Sequence, residues 1–471
     1  MKHIVYSKIK RLSLIVIASL CVHTQAAEKP NVLFIAVDDL NDWTGYAGNT
    51  QAITPNLDRL ASQGTWFSKA YCQYPVCGPS RASLMSGMYY HQLNSPKLQP
   101  KDDFVQQAAQ EMGSELLHGY LKKHGYKTMA VGKILHKHLP KENLDLSGGR
   151  GGWDYLKDKK TGKKIKLQFE SQKTLTDWGP WEKPEEKMSD SEAAAWAVER
   201  LENKHEDPFM LMVGFLRPHA PWYVPQKYFD MYDKDKLKLP VYKKDDLDDV
   251  PASAKETIND GYPRTEWAIE NSQWKNIVQS YLASITFVDS KVGLVLDALE
   301  RSEYRDNTIV ILWSDHGYHM GEKNTFQKHT LWERSGRSPL IIKLPKSMHG
   351  RKYKGECDKV VGLIDIYPTL VDLCGLPANE KVVGRSLMPL LKNPRIQWDY
   401  PTLTYRKDGG KAVRYKHYRY IEYGDGSQEL YDQKKDPNEW DNLAKNIEYK
   451  NILKMMRELL VKHHIDSPKE P

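Results

Sequence analysis

The chain has 471 residues, with 69 Lys or Arg, 61 Asp or Glu and a formal net charge of +8. Four basic residues fall within the first 26 positions, so the rest carries 65 basic and 61 acidic residues, a net charge of +4. Because the two signs are interleaved along the chain, the composition argues against a nucleic-acid-binding scaffold. The length allows a large α/β domain and a smaller second one.

Residues 1–26 have the parts of a signal peptide. A basic start precedes the apolar run 12–20, and Thr24-Gln25-Ala26 forms a small-residue cleavage site. The run is too short to cross a bilayer, and no later stretch approaches the roughly 20 apolar residues of a membrane helix. We therefore predict an exported protein, periplasmic or secreted after cleavage near Ala26, with no integral membrane segment.

The first predicted strand is the continuous apolar run 30–37, a pattern typical of a strand buried on both faces. It ends in Asp38 and Asp39. Open α/β sheets place their sites at the carboxyl ends of strands, and the repulsion between adjacent carboxylates calls for a counterion. An Asp-Asp pair also occurs in helix caps and turns. Residues 54–61 then predict a helix that is capped by Thr54 and stops at Gly64.

Residues 77–87 predict a second helix, with Cys77 at its N-terminus and Pro79 as the proline tolerated at the first helical position. Backbone N–H groups and the positive end of the helix dipole then face whatever binds beside Cys77. Such a position suits an anion site or a nucleophilic cysteine of lowered pKa. A single cysteine before a proline is otherwise a packing residue.

Three later strands also end in polar residues. The strand 126–131 leads to Lys133 and His136, the strand 209–215 to Arg217, His219 and Trp222, and the strand 308–313 to Asp315 and His316. A helix is predicted before each of these strands: at 114–123, at 189–201 after a capping box that begins at Ser189, and at 281–300, where apolar residues form a stripe. This alternation predicts an α/β fold.

The remaining stretches divide the chain into two units. Residues 139–188 and 224–270 are long, polar insertion loops, which in enzymes are usually rims or lids. The pattern changes near Asn393-Pro394: residues 412–423 predict a small antiparallel sheet, and residues 448–462 a terminal helix. We expect a catalytic domain over 28–395 and a C-terminal α+β subdomain over 396–471.

The string Cys77-Gly78-Pro79-Ser80-Arg81, followed by Gly87, resembles the signature of the type I sulfatases. Two further motifs of that family are similar to residues 54–58 and 429–439, so the resemblance extends from about residue 31 to residue 443. It implies an alkaline-phosphatase-like fold, a large mixed sheet flanked by helices. It also implies that a formylglycine-generating maturation enzyme oxidises Cys77 to formylglycine, whose hydrate is the nucleophile.

The resemblance assigns roles to residues at the strand ends. A divalent cation, calcium in most of the family, would be bound by Asp38, Asp39, the oxidised Cys77, Asp315 and His316. His316 replaces the commoner Asn, as in the iduronate-2-sulfatase branch, and leaves magnesium or a softer metal as alternatives.

Further roles concern the sulfate and the sugar. Lys133 and Lys328 would bind sulfate oxygens, His136 would serve the formylglycine hydroxyl, and His219 would be the general acid and contact the substrate. Arg81 would pair with the formylglycine or the metal carboxylates. Arg217 and Trp222 are candidates for contact with a sulfated sugar, although tryptophans near loops also anchor them.

The leading hypothesis is a sulfatase that acts on a carbohydrate sulfate ester, such as a 2-O-sulfated uronate or a galactose-type unit, in polysaccharide degradation. A phosphomonoester or phosphonate hydrolase of the same superfamily and an arylsulfatase of broad specificity are alternatives. A third class is a glycan-binding protein in which Cys77 stays a thiol. Whether Cys357 and Cys374 form a disulfide is left open.

Overall fold

The computed structural model describes residues 29–158, 160–182, 184–348 and 353–465. The predicted signal peptide lies outside the described residues. No helix in the described ranges is long and apolar enough to cross a membrane.

A sheet of eight strands forms the centre of the large unit, and two short strands, β5 and β7, pair separately. The strands up to residue 362 are β1 (Asn31–Val37), β2 (Thr65–Tyr71), β3 (Lys127–Gly132), β4 (Leu146–Gly149), β5 (Trp178–Trp181), β6 (Phe209–Phe215), β7 (Trp222–Pro225), β8 (Thr308–Ser314), β9 (Leu340–Lys343) and β10 (Gly355–Gly362). The order in the sheet is β10-β2-β9-β8-β1-β6-β3-β4, and β9 alone among these eight runs antiparallel to its neighbours.

Helices cover both faces of this sheet. The α-helices of the described residues are, in chain order, α1 (Pro55–Gln63), α2 (Cys77–Ser86), α3 (Asp102–Glu111), α4 (Leu117–Lys123), α5 (Ser189–Glu202), α6 (Gln226–Phe229), α7 (Ala252–Lys255), α8 (Thr265–Glu270), α9 (Trp274–Arg301), α10 (Glu333–Gly336), α11 (Ile366–Leu373), α12 (Met388–Lys392) and α13 (Lys450–His463), the last of which packs on the C-terminal sheet. Alternate residues of β1 enter two separate cores, one shared with α2, α4 and α11 and the other with α1, α5 and α9. The continuous apolar run of β1 follows from this burial on both faces.

The C-terminal part has an antiparallel sheet of four strands with α13 packed against it. Its strands are β11 (Thr402–Tyr405), β12 (Lys411–Tyr415), β13 (Tyr418–Glu422) and β14 (Gln428–Asp432). The predicted α/β class, large mixed sheet and C-terminal α+β subdomain are confirmed. The domain boundary near residue 395 stays a prediction. Cys357 and Cys374 are free cysteines, so they form no disulfide in this structure.

At two helix N-termini the structure shows capping partners other than the predicted ones. The side chain of Thr54 does not cap α1, whose Asn56 and Leu57 N–H groups donate to the Asp289 carboxylate of α9. The capping box at Ser189 is absent from α5, because Asp154 accepts the Ser189 N–H and hydroxyl bonds. In both cases the N–H groups at the start of the helix donate to an aspartate distant in sequence. The local sequence pattern predicts a capping partner close in the chain instead.

Candidate active site

The parallel strands bring the predicted polar residues to one edge of the sheet. Val37 of β1 lies beside Phe215 of β6 on one side and beside Ser314 of β8 on the other. The residues that follow these three strands therefore meet, as expected for the carboxyl ends of an open α/β sheet.

Lys133 lies at the same edge of the sheet because Gly132 of β3 and Gly214 of β6 approach each other closely. Gly132 ends β3 at φ 78°, and a Cβ there would lie 1.9 Å from the Gly214 carbonyl oxygen of β6. The Lys133 N–H donates to that carbonyl at 3.0 Å. A side chain at position 132 would therefore push the two strands apart and displace Lys133.

Cys77 is the first residue of α2, and the helix is buried throughout. Its Sγ lies 3.0 Å from Lys328 Nζ, 3.3 Å from His316 Nε2 and 3.6 Å from Asp39 Oδ1. Pro79 is the third residue of this helix, two positions later than predicted. Burial, with a further contribution from the charge of Asp38, raises the pKa of the Cys77 thiol well above its usual range despite the nearby lysines. The raised pKa of the buried thiol therefore disfavours the alternative of a nucleophilic cysteine of lowered pKa.

Arg81, one turn into α2, ties three strand ends together. Its Nε donates to Asp315 at 2.7 Å, its Nη2 to Asp38 at 3.2 Å, and its Nη1 to the Lys133 and Ile134 carbonyls at 2.5 and 3.0 Å. The side chain is fully buried. Arg81 fixes the positions of two carboxylates relative to the start of α2.

Two lysines pair with the adjacent carboxylates. Lys133 Nζ lies 2.5 Å from Asp38, and Lys328 Nζ lies 2.5 Å from Asp39. Burial raises the pKa of both carboxyls, but the surrounding cations outweigh it, so the pKa of Asp38 falls well below its usual range and that of Asp39 to about 2. Both carboxylates are ionised at neutral pH.

Asp39 has a left-handed backbone, with φ 60°. Its N–H donates to Asp315 Oδ1 at 3.2 Å, and its carbonyl accepts the Tyr281 hydroxyl at 2.7 Å. Such a conformation is uncommon for a non-glycine residue and is held here by partners from two other elements.

Two groups of side chains have the spacing of a metal site. Ligand atoms of Asp39, Cys77, Asp315 and His316 lie within 4.8 Å of one another, as do those of Asp38, Asp39, Cys77 and His219. The Nδ1 of His316 lies 2.9 Å from the Gly317 carbonyl and so carries the proton, which leaves the Nε2 lone pair directed at the carboxylates. The donor set fits a divalent cation.

The other two histidines predicted for the site, His136 and His219, are half-buried. Burial, with help from Lys133, lowers the pKa of His136 to about 3, and burial lowers the pKa of His219 to about 4. His219 Nε2 lies 4.0 Å from Asp39, and its Nδ1 lies 2.5 Å from the Ala220 carbonyl. Both imidazoles are therefore neutral at neutral pH in the absence of substrate.

Arg217 and Trp222 lie behind the turn that carries His219. Arg217 donates its guanidinium N–H groups to the carbonyls of Tyr223, His219 and Asp154, and Trp222 donates its indole N–H to Pro218. Both side chains are fully buried. These contacts support a structural role, and contact with a sugar remains a prediction.

Arg150 also lies near these residues, and the sequence alone does not predict it. Its guanidinium carbon lies 3.6 Å from the ring centroid of Trp153, whose ring is also 5.5 Å from Lys133 Nζ and 5.7 Å from the His219 ring. No local pattern distinguishes this arginine from the other basic residues of a polar insertion loop.

Comparisons with known proteins identify the class of enzyme. Residues 30–376 match the sulfatase family model, and residues 321–466 match the model of the N-sulphoglucosamine sulphohydrolase C-terminal region. The chain belongs to the sulfatase family and is a sulfuric ester hydrolase, as the type I signature predicted.

Three sulfatases are similar to this chain over most of its length. A sulfatase of Formosa agariphila is 42% identical, over 92% of this chain and 87% of that protein. A delta 4,5-hexuronate-2-O-sulfatase of Bacteroides thetaiotaomicron is 28% identical, over 93% and 89%. Human iduronate 2-sulfatase is 27% identical, over 75% and 73%.

The solved structures confirm the fold. A phosphonate monoester hydrolase from Silicibacter pomeroyi has a TM-score of 0.76 at 20% identity, covering 92% of this chain and 95% of that one. At that identity the likeness concerns the alkaline-phosphatase-like fold alone.

Proposed function

We propose that the enzyme hydrolyses a sulfate ester on a carbohydrate, with Cys77 matured to formylglycine and one divalent cation beside it. The observation that carries this proposal is the placement of Cys77 Sγ against Lys328, His316 and Asp39 at the start of α2. A buried thiol of raised pKa is a poor nucleophile in this position. Formylglycine supplies a hydrated aldehyde whose hydroxyl serves as the nucleophile toward sulfur.

The charges of the site support binding of a sulfate group. Three carboxylates, Asp38, Asp39 and Asp315, are paired with three cations, Arg81, Lys133 and Lys328. The three negative and three positive side chains cancel. A divalent cation held by the carboxylates and His316 would therefore make the site positive. The cation supplies polarisation of sulfate oxygens. We propose calcium, which prefers oxygen ligands, as the ion.

The two histidines are proposed to act on opposite sides of the reaction. His136, which its lowered pKa keeps neutral, would hydrogen-bond the formylglycine hydroxyl and accept its proton when sulfate is eliminated. His219 donates a proton to the leaving sugar oxygen. The negative charge of a bound sulfate raises the pKa of the His219 imidazole from about 4 and so favours the protonated form that this step needs. Lys133 and Lys328 orient the sulfate oxygens.

The substrate proposed is a sulfated polysaccharide or oligosaccharide, met outside the cytoplasm after cleavage of the predicted signal peptide. Two of the relatives are named for sulfate at the 2 position of a hexuronate or iduronate. A 2-O-sulfated uronate is therefore our first choice of sugar.

Mass spectrometry tests the nucleophile. Cleavage after Lys69 and Arg81 releases the peptide 70–81, which contains both Cys72 and Cys77. In protein produced with a maturation enzyme, fragmentation should place an aldehyde at Cys77 and leave Cys72 a thiol. An unmodified Cys77 in active protein would overturn the proposal. Faster turnover of an aryl phosphate or phosphonate than of the matching aryl sulfate would favour the phosphoryl alternative.

A further inference from the structure

Arg150 lies directly after β4, in the loop that borders the site. Its Nη1 donates to the Gly151 and Gly152 carbonyls at 3.1 and 3.0 Å. The plane of the guanidinium is supported by Trp153, whose ring centroid is 3.6 Å from its central carbon. These contacts hold the side chain in one orientation.

The other edge of the guanidinium, Nε and Nη2, has no hydrogen-bond partner among the described residues. Nε and Nη2 of Arg150 are both buried and make no hydrogen bond within the described part of the chain. Burying two N–H groups of a cation without acceptors is costly, so an unpaired pair of this kind indicates a ligand. The Nε–Nη2 edge is the fork that binds a carboxylate or sulfate through two parallel hydrogen bonds.

Arg150 lies close to the residues proposed to act on the sulfate ester. The ring centroid of Trp153 also lies 5.5 Å from Lys133 Nζ and 5.7 Å from the His219 ring centroid. Burial lowers the pKa of Arg150, and the charges of Asp38 and Arg81 act on it, so it lies within electrostatic reach of the strand ends. The guanidinium remains a cation there, because arginine stays protonated in proteins.

We infer that the Nε–Nη2 edge of Arg150 binds a second oxyanion of the substrate, on or next to the sugar that carries the scissile sulfate. The inference rests on the proposed function. A uronate carboxylate and a second sulfate present the same pair of oxygens to the fork, so both sources are tested. Arg150 would then select acidic sugars and contribute to binding without taking part in bond cleavage.

Steady-state kinetics on three sulfate esters provide the test: a 2-O-sulfated uronate glycoside, the matching 2-O-sulfated neutral hexoside, and the hexoside with a second sulfate. Arg150→Met keeps an apolar cover on Trp153 but removes the charge. We expect KM to rise about 10- to 100-fold on the substrate that carries the second anion, with little change in kcat and little effect on the neutral hexoside. The anionic substrate that shows the loss identifies the source. Arg150→Lys should restore little, because a lysine lacks the fork.

Arg200→Met is a matched control, since Arg200 stacks on Trp196 with its central carbon 4.3 Å from the ring centroid. It should leave all three KM values unchanged. Equal effects of Arg150→Met on neutral and anionic substrates, or no effect on any, would overturn the inference.

Calorimetry on a Cys77→Ala background separates this result from a failure of the proposed function. The unsulfated uronate glycoside and the hexoside with a second sulfate serve there as non-reacting probes that carry the second anion. Binding of an anionic probe that Arg150→Met weakens supports the inference even without turnover. Probe binding that is unaffected by the substitution, or no binding of either probe, overturns it.

Discussion

Replacing Arg81 by methionine should destabilise the fold far more than breaking an exposed ion pair of similar chemistry. Arg81, Asp38 and Asp315 have side chains with no solvent exposure. Asp38 keeps Lys133 as a partner in the variant, whereas Asp315 Oδ2 loses its 2.7 Å contact and two backbone carbonyls lose a donor. Removing one partner of a buried ion pair costs about 3–5 kcal/mol, and we expect a loss in that range.

Urea unfolding of the wild type and Arg81→Met, in calcium and in chelator, measures this loss. The control is Arg59→Met, which removes a 2.6 Å pair with Asp297 whose side chains are 37% and 47% exposed. That change should cost about 0–1 kcal/mol. Adding Asp315→Asn to Arg81→Met should recover part of the loss, because the stranded charge is removed. Similar costs for Arg81→Met and Arg59→Met would refute the role of Arg81 as a buried clamp.

Three further outcomes are expected. Exhaustive chelation should abolish turnover and lower the Tm together, and calcium should restore both; full activity without metal would exclude the proposed cation. His219→Ala should slow a sugar sulfate by about 10²–10⁴ and an activated aryl sulfate much less, whereas His136→Ala should slow both alike; an equal loss for His219→Ala on both would rule out the general acid. Burial raises the pKa of Asp289 to about 6, so the folded state binds this proton more tightly. Its contribution to the free energy of unfolding therefore falls as pH rises from about 4 to about 6. Asp289→Asn should make the free energy of unfolding depend less on pH in this range, and an unchanged slope would contradict the assignment to Asp289.

Much of the site was predictable because it depends on strands buried on both faces. The apolar runs of β1, β6 and β8 are recognisable in the sequence, and parallel neighbours must end at one edge of the sheet. The position of Cys77 was predictable for a different reason, since its motif indicates the start of a helix; its chemical role stays a prediction. The structure brings both features together, with Cys77 Sγ 3.3 Å from His316 Nε2.

The family resemblance assigns the sulfate to Lys328, but Lys323 lies only five residues earlier in the chain. The two lysines flank one polar loop, and no local pattern separates them. In the structure Lys323 is buried against Asp246 and the Glu439 carbonyl, whereas Lys328 lies against Asp39 and Cys77. Their partners are distant in the chain, so the assignment depends on tertiary contacts. The same holds for Asp289 as the cap of α1.

Buried polar side chains outside the Cys77 site link the small C-terminal sheet to the large sheet. Glu333 of α10 accepts a bond from Tyr71 at the end of β2 and from Arg419 of β13, at 2.8 and 2.5 Å, and all three are buried. Tyr71 precedes Cys77 by six residues, and α10 follows Lys328 by five. Because the Glu333 carboxylate joins the segments that carry Cys77 and Lys328 to β13, the C-terminal sheet helps to fix where the proposed nucleophile and the lysine proposed to bind sulfate meet. We therefore attribute to this sheet a part in building the site, in addition to any contact with substrate.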